Sequence, residues 1–184
     1  MSLRRESIDP AHAAPAVRQL YESAFPAEEQ IPWPDLLRLV HEMPLDFAAY
    51  YDAATFVGLT VVYPRPGLHW FWYFAVRADL RGRGYGQQIL TRLIGEHADA
   101  PLILDMESPA QQPCDNLAQR RRRHAFYLRN GFRDTGVGRT FDGIAYTIMM
   151  RGEGTFTLRD YDAILADLRR HWAGVPDVPE AEKP

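Results

Sequence analysis

Apolar residues recur three and four positions apart between Pro10 and Phe25, where Val17, Leu20, Tyr21 and Ala24 share a stripe. This predicts an amphipathic helix that ends before Pro26. A second stripe, Leu36, Leu37, Val40 and Met43, predicts a short helix over Pro34 to Met43. The period then changes. Phe47 to Asp52 and Thr55 to Tyr63 are rich in aromatic and β-branched residues and are joined by Asp52-Ala53-Ala54, the pattern of a β-hairpin. After the turn Pro64-Arg65-Pro66-Gly67, a third strand runs from Leu68 to Val76. Strict alternation puts Trp70, Trp72, Phe74 and Val76 on one face and His69, Phe71, Tyr73 and Ala75 on the other, so both faces read as covered.

The segment Arg77 to Gly86 is charged and glycine-rich, and a helix follows from Tyr85 to Ala98 with Ile89, Leu90, Leu93 and Ile94 inward. Leu102 to Glu107 reads as the next strand, completing a β-loop-α-β unit. The polar stretch from Ser108 leads into a helix over Leu117 to Asn130, stopped by Asn130-Gly131. Two strands, Phe132 to Val137 and Ile144 to Arg151, flank the turn signal Asp142-Gly143. A last helix starts at Thr157, with Asp160 at the capping-box position, and extends to about Trp172. The elements predict a mixed α/β (α+β) domain of six to seven strands flanked by helices. It is expected to be a single domain over residues 1–173, with a flexible tail over 174–184.

Composition narrows the functional classes. With 21 Lys and Arg against 24 Asp and Glu, the net charge of -3 lacks the positive surplus expected of a nucleic-acid or anionic-membrane binder. The single cysteine, Cys114, excludes a disulfide-stapled scaffold, and no zinc-ligand spacing occurs, so no metal is expected. No apolar window approaches the ~18 residues of a membrane span. The expectation is a soluble, cytoplasmic protein without nucleic-acid or membrane partners. The sequence leaves the oligomeric state open, a homodimer included.

The chemistry concentrates in F-A-V-R-A-D-L-R-G-R-G-Y-G-Q-Q-I-L, residues 74–90. Gly82, Gly84 and Gly86 lie at a strand-to-helix junction with Arg81 and Arg83 interleaved. Glycines allow close approach and positive φ. The first amides of the following helix then make a site for phosphate oxygens, favoured by the macrodipole and the two arginines. An ordinary strand–helix turn with solvated arginines is the plain alternative. Neither the G-x-x-x-x-G-K-[ST] loop nor G-x-G-x-x-G fits.

The match of Arg81, Gly84 and Gly86 to [RQ]-x-x-G-x-[GA], after Phe74-Ala75-Val76, resembles the pyrophosphate loop of the GNAT superfamily of acyl-CoA-dependent N-acyltransferases. A second block, R-H-A-F-Y-L-R-N-G-F at 123–132, places Tyr127, Gly131 and Phe132 on the family's A-x-x-F-Y-x-x-x-G-F pattern. The resemblance covers roughly residues 47–151. It implies the GNAT acyl-CoA N-acyltransferase fold, with acetyl-CoA as cosubstrate in a cleft where central parallel strands splay apart. The pantetheine arm would bond to the backbone of Phe74 and Val76, and the amides from Arg81 through Gly82, Arg83, Gly84 and Tyr85 to Gly86 would hold the pyrophosphate.

The reaction implied is acetyl transfer to a primary amine of a small molecule or peptide, by direct attack in a ternary complex. The Val76 N–H is the natural donor to the developing oxyanion. Tyr127 matches the residue that returns a proton to the departing thiolate, with a packing tyrosine as its alternative. Glu107, at the end of its strand, is the candidate base, with Asp105 on the same face; orienting the loop is the alternative for Glu107. Position 70, where some relatives carry a carboxylate, is tryptophan, and His69 beside it is a titratable substitute. Arg120 stands where an asparagine is often found, so contacts in that loop do not carry over, and Asn116 is a loose replacement. The run Arg120 to Arg123 suits either the adenosine 3′-phosphate or a solvated helix face. Glu28, Glu29 and Trp33 lie in a region that lines the acceptor pocket in the family, but two solvated glutamates beside a core tryptophan is the reading that fits them better. The rival reading from another class is a catalytically silent acyl-CoA-binding module.

Overall fold

The computed structural model describes residues 3–175, so the tail expected over 174–184 falls, beyond Val175, outside the described residues. The chain divides into two compact units, Met1–Asp99 and Ala100–Pro184, and among the described residues the first holds four strands and the second three.

In the first unit, β1 (Arg4–Ser7), β2 (Asp46–Asp52), β3 (Thr55–Arg65) and β4 (Leu68–Val76) lie in that spatial order, all antiparallel. Its helices are α1 (Pro15–Ala24), α2 (Trp33–Glu42) and α3 (Tyr85–Glu96). The single helix predicted from Pro10 is broken. Pro10–His12 forms one 3-10 turn capped by Asp9, and Pro15 at the first position starts α1 afresh, because its ring fixes φ and it has no N–H to offer. In α2 the buried positions are Leu36 and Leu39, so Leu39 takes the inward place expected of Leu37 and Val40.

Strand β1 was not foreseen, because Arg4-Arg5-Glu6-Ser7 has no apolar alternation. Its place comes from partners distant in sequence. Arg5 pairs with Asp46 and, at 3.1 Å, with Glu96, while the Arg4 guanidinium lies 4.5 Å from the centre of the Tyr51 ring. A polar, charged strand suits a sheet edge.

One irregularity decides which way β4 presents itself. Val61 pairs with Tyr73 and Val62 with Phe71, so Trp72 is an extra residue, a β-bulge. Side-chain alternation slips by one there, and the predicted faces are corrected accordingly. Beyond the bulge Tyr73 and Ala75 join Trp70, while Phe74 and Val76 join His69 and Phe71. Ring contacts agree: Phe71 lies 5.5 Å from Phe74, whereas Tyr73 lies 5.1 Å from Tyr21 and 4.8 Å from Phe25 of the α1 side. Phe74 and Val76 instead pack with Tyr85 against Leu3, Ala48, Tyr50, Val57, Leu80 and Ile89, the core beneath α3.

In the second unit, β5 (Leu102–Glu107), β6 (Arg133–Phe141) and β7 (Ile144–Arg151) form an antiparallel sheet in the order β5-β7-β6, with α4 (Leu117–Arg129) and α5 (Leu158–Arg169). The predicted capping box is present: the Asp160 N–H donates to Thr157 Oγ1, and the Thr157 N–H donates to Asp160 Oδ2 at 2.8 Å. Among the described residues no helix is long and apolar enough to cross a membrane.

Candidate active site

The glycine turn grows directly out of β4. The Arg77 N–H donates to the Val57 carbonyl at 3.0 Å, which fixes the phase of the β3–β4 ladder. Counting back through the register, Ala75 with Leu59 and Tyr73 with Val61 exchange hydrogen bonds. The N–H groups of Phe74 and Val76 therefore point away from β3, to the other edge of the strand. Their carbonyls do the same, and that of Val76 accepts from Arg81 Nε at 3.2 Å.

After a 3-10 turn over Ala78–Leu80, the backbone turns left-handed at Gly82, φ +78°, and again at Gly84, φ +81°, which caps α3. A Cβ costs energy in this region, so glycine is required at both. A Cβ built at either position would meet nothing within 4 Å, so the turn borders open space. The first helical bond runs from the Gln88 N–H to the Gly84 carbonyl at 3.1 Å. Among the described residues the amides of Gly82, Arg83, Gly84, Tyr85 and Gly86 have no hydrogen-bond acceptor, whereas that of Arg81 is bonded to Ala78 at 3.4 Å. Unengaged amides at the head of a three-turn helix, with exposed Arg81 and Arg83 beside them, are an arrangement chemically suited to an anion.

The second unit holds Tyr127 and Glu107. Helix α4 ends in a Schellman motif: the Phe132 N–H donates to the Tyr127 carbonyl at 3.1 Å and the Gly131 N–H to that of Leu128 at 3.0 Å. Gly131 has φ +82°. The accompanying apolar contact is the Phe132 ring against that of Tyr127, centroids 5.5 Å apart. The spacing Tyr-x-x-x-Gly-Phe thus has a mechanical meaning, because it closes the helix and fixes the tyrosine. Among the described residues the Tyr127 hydroxyl has no hydrogen-bond partner. Desolvation pushes its pKa up to about 12, against the lowering effect of Arg123 and with help from Asp105.

Glu107 is buried and heavily engaged. It pairs with Arg120 at 2.8 Å and with Arg123, and accepts from Asn116 Nδ2 at 2.9 Å. Burial works to raise its pKa, but the Asn116 bond and the guanidiniums of Arg123 and Arg120 outweigh it, leaving the carboxyl below its ordinary value. Arg120 is itself buried, with Asn116 Oδ1 at 2.6 Å and Gln111 Oε1 at 3.0 Å. Of the two readings of the arginine run, Arg120 takes neither, since it is the buried centre of the 107–116 loop. Arg121 and Arg122 are exposed.

His69 does not reach the glycine turn. It is seven residues upstream of Val76, roughly 23 Å at about 3.3 Å per residue. There it is buried against Asp99, 3.0 Å away, and the His97 ring. Trp70 is likewise core, stacked on Trp72 at 4.4 Å. Trp33 packs against Tyr21 and Phe47, and the Glu29 carbonyl accepts from the Tyr73 hydroxyl at 2.6 Å. Residues missed in the sequence are Asp52 and Arg77. The Tyr85 hydroxyl donates to Asp52 Oδ2 at 2.7 Å, and Arg77 donates to the Phe56 carbonyl at 3.0 Å.

Residues 46–134, which hold both the glycine turn and Tyr127, match the model of the GNAT acetyltransferase domain. The match to the GNAT family spans this segment, a little under half of the chain. Solved structures agree on the fold. A GNAT-family protein from Bacteroides thetaiotaomicron superposes with a TM-score of 0.71 at 21% identity, over 90% of this chain and 96% of its own. An aminoglycoside 6′-N-acetyltransferase complexed with coenzyme A gives 0.63 at 17% identity, over 80% and 96%. A GNAT acetyltransferase from Elizabethkingia anophelis with acetyl-CoA bound gives 0.58 at 13%, over 83% and 99%. No curated protein sequence matches the chain. The GNAT match begins at the first residue of β2, so β1, α1 and α2 lie outside it.

Proposed function

We propose that this GNAT domain is an acetyl-CoA-dependent N-acyltransferase that moves the acetyl group onto a primary amine of a small molecule or peptide, by direct attack in a ternary complex. The observation that carries this reading is the turn itself, two left-handed glycines bordering open space with unengaged amides at the head of α3. Arg81, Gly82, Arg83, Gly84, Tyr85 and Gly86 would hold the pyrophosphate. The outward backbone groups of Phe74 would bond to the pantetheine amides. Bound acetyl-CoA would supply the activated thioester carbonyl, and the outward N–H of Val76 would donate to the carbonyl oxygen.

Tyr127 keeps its proton throughout the physiological range, because its pKa lies near 12. It therefore serves as a hydrogen-bond donor to the leaving sulfur. Complete transfer to a thiolate of ordinary pKa, about 8.5, would be uphill by roughly 5 kcal/mol. As the N–C bond forms and the C–S bond breaks, the proton that the nitrogen loses in becoming an amide would pass to the departing thiolate through the Tyr127 hydroxyl, which gives one proton as it receives another. Glu107, held low by two guanidiniums, is a poor acceptor for the proton of an alkylammonium. It is assigned to holding Arg120 and Arg123, with the amine proton leaving to water. That engagement of Glu107 is also the observation favouring the second reading, a silent acyl-CoA-binding module.

Thermal melting with ligands tests the cradle. At a hundred times Kd, acetyl-CoA should stabilise the protein by about 2.7 kcal/mol, a rise of roughly 5–11 °C for a chain of this size. ATP at equal concentration should give less, and Gly84→Glu should abolish the acetyl-CoA shift. Equal protection by ATP and acetyl-CoA would reject the reading in favour of a general anion site. CoA release over a panel of amines, polyamines, aminoglycosides, amino acids and peptides then separates enzyme from silent module.

A further inference from the structure

The glycine turn is fastened at both ends to one structure, the tip of the β2–β3 hairpin. At its start, the Arg77 N–H bonds to the Val57 carbonyl, and the Arg77 side chain bonds to the Phe56 carbonyl at 3.0 Å. The same guanidinium holds Asp79 with two bonds, 3.1 and 2.7 Å, and so braces the 3-10 turn before the glycines. At its end, Tyr85, the first residue of α3, extends its hydroxyl to Asp52 Oδ2 at 2.7 Å. Asp52 is the last residue of β2, and Ala53 beyond it has φ +50°, so the hairpin turns sharply at the point of attachment. Between these two fastenings lie Gly82, Arg83 and Gly84; a Cβ on either glycine would meet nothing within 4 Å, and among the described residues none of the three amides has an acceptor.

A turn with two left-handed glycines, and with no acceptor among the described residues for the amides from Gly82 to Gly86, has little conformational preference of its own. Something outside it must hold it in the shape that points its amides in one direction. The geometry points to Asp52 and Arg77 as positioning residues for the anion cradle, acting through the Tyr85 hydroxyl and the hairpin-tip carbonyls to keep the turn preorganised for a diphosphate. They do so without touching the ligand themselves. Asp52 is an unusual choice beside an anion site, since its charge repels phosphate. What it contributes is a hydrogen-bond acceptor, and an uncharged acceptor would serve equally well.

This inference rests on the acetyl-CoA reading, and the experiment separates the two. Wild type, Tyr85→Phe, Asp52→Ala and Asp52→Asn are compared with two donors, acetyl-CoA and the acetyl thioester of N-acetylcysteamine, which has the same reacting end but no phosphates. Binding of inorganic pyrophosphate by calorimetry provides a readout independent of acyl transfer. Tyr85→Phe and Asp52→Ala should raise KM for acetyl-CoA and Kd for pyrophosphate about tenfold, the worth of one hydrogen bond to a charged group. Asp52→Ala should leave kcat/KM for the truncated thioester unchanged. Asp52→Asn keeps an acceptor for the Tyr85 hydroxyl and should retain wild-type affinity or better. Equal losses with both donors would mean a general structural role and would overturn the inference, as would an Asp52→Asn protein as weak as Asp52→Ala. Should wild type bind pyrophosphate but transfer no acetyl group, the acyltransferase reading fails, and the same variants judge the latch on pyrophosphate alone.

Discussion

Gly58 offers a quantitative test of how β3, β4 and α3 support the turn. It lies opposite Val76, and a Cβ placed on it would fall 2.5 Å from the Ala75 carbonyl oxygen, 3.0 Å from Ile89 Cδ1 and 3.4 Å from Val76 Cα. A relaxed carbon–oxygen contact lies near ~3.3 Å. Gly58→Ala must therefore open a gap of roughly 0.8 Å against backbone that a side-chain rotation cannot relieve. Ile89 is fully buried and has nowhere to retreat. Overpacking of this kind costs about 1–3 kcal/mol, which for this chain length lowers Tm by roughly 2–12 °C. The displaced atoms are those at the end of β4 and beneath α3, the two supports of the turn, so acetyl-CoA affinity should fall as well. Gly95→Ala is the control: it lies within α3, a Cβ there meets nothing within 4 Å, and it should gain up to about 1 kcal/mol. Urea denaturation gives both stabilities and calorimetry gives the affinities. A Gly58→Ala protein within 0.5 kcal/mol of wild type, or a Gly95→Ala protein that loses as much, would show that the close approach carries no energetic weight.

Two further outcomes follow from the second unit. Tyr127→Phe should lower kcat about a hundredfold or more while leaving acetyl-CoA affinity and Tm nearly unchanged, because the hydroxyl has no partner to lose among the described residues; single-turnover kinetics with calorimetry checks this, and an unchanged kcat removes the proton-donor role. Glu107→Gln should cost about 1.5–3 kcal/mol at neutral pH. Since the folded pKa of Glu107 lies below its ordinary value of 4.5, its stabilising contribution is complete above that pH and is lost as pH falls through the lower folded value. The difference between the two proteins should therefore shrink only on the acid side of 4.5, as denaturation at stepped pH would reveal; a gap that stays constant to low pH contradicts it.

Much of the fold was legible because it is written locally. The strand Leu68–Val76, the capping box at Thr157 and the stop at Asn130-Gly131 each follow from a few neighbouring residues whose preferences agree. The glycine turn was visible for the same reason, since its spacing is its mechanism. What escaped depends on partners far along the chain. Strand β1 has no pattern of its own and exists through Asp46, Tyr51 and Glu96. The hold of Asp52 on Tyr85 spans 33 positions and joins an ordinary turn aspartate to a helix-start tyrosine. Arg120 belongs to a run of four arginines, and nothing in that run distinguishes the one that folds inward onto Glu107. The faces of β4 were misassigned because periodicity presumes an unbroken pleat.

That broken pleat has a consequence for how the strand tolerates changes in length. Since Trp72 is supernumerary, excising it would join two stretches already in step with β3, and the residues on either side would keep their partners and their outlook. Removing Ala75 with Arg77 still held on Val57 would do the reverse, turning the Phe74 amide toward β3 and rotating the Phe74 ring out from under α3. The strand thus carries one spare link, so that a single deletion at that point would be absorbed before it reached the segment feeding the glycine turn.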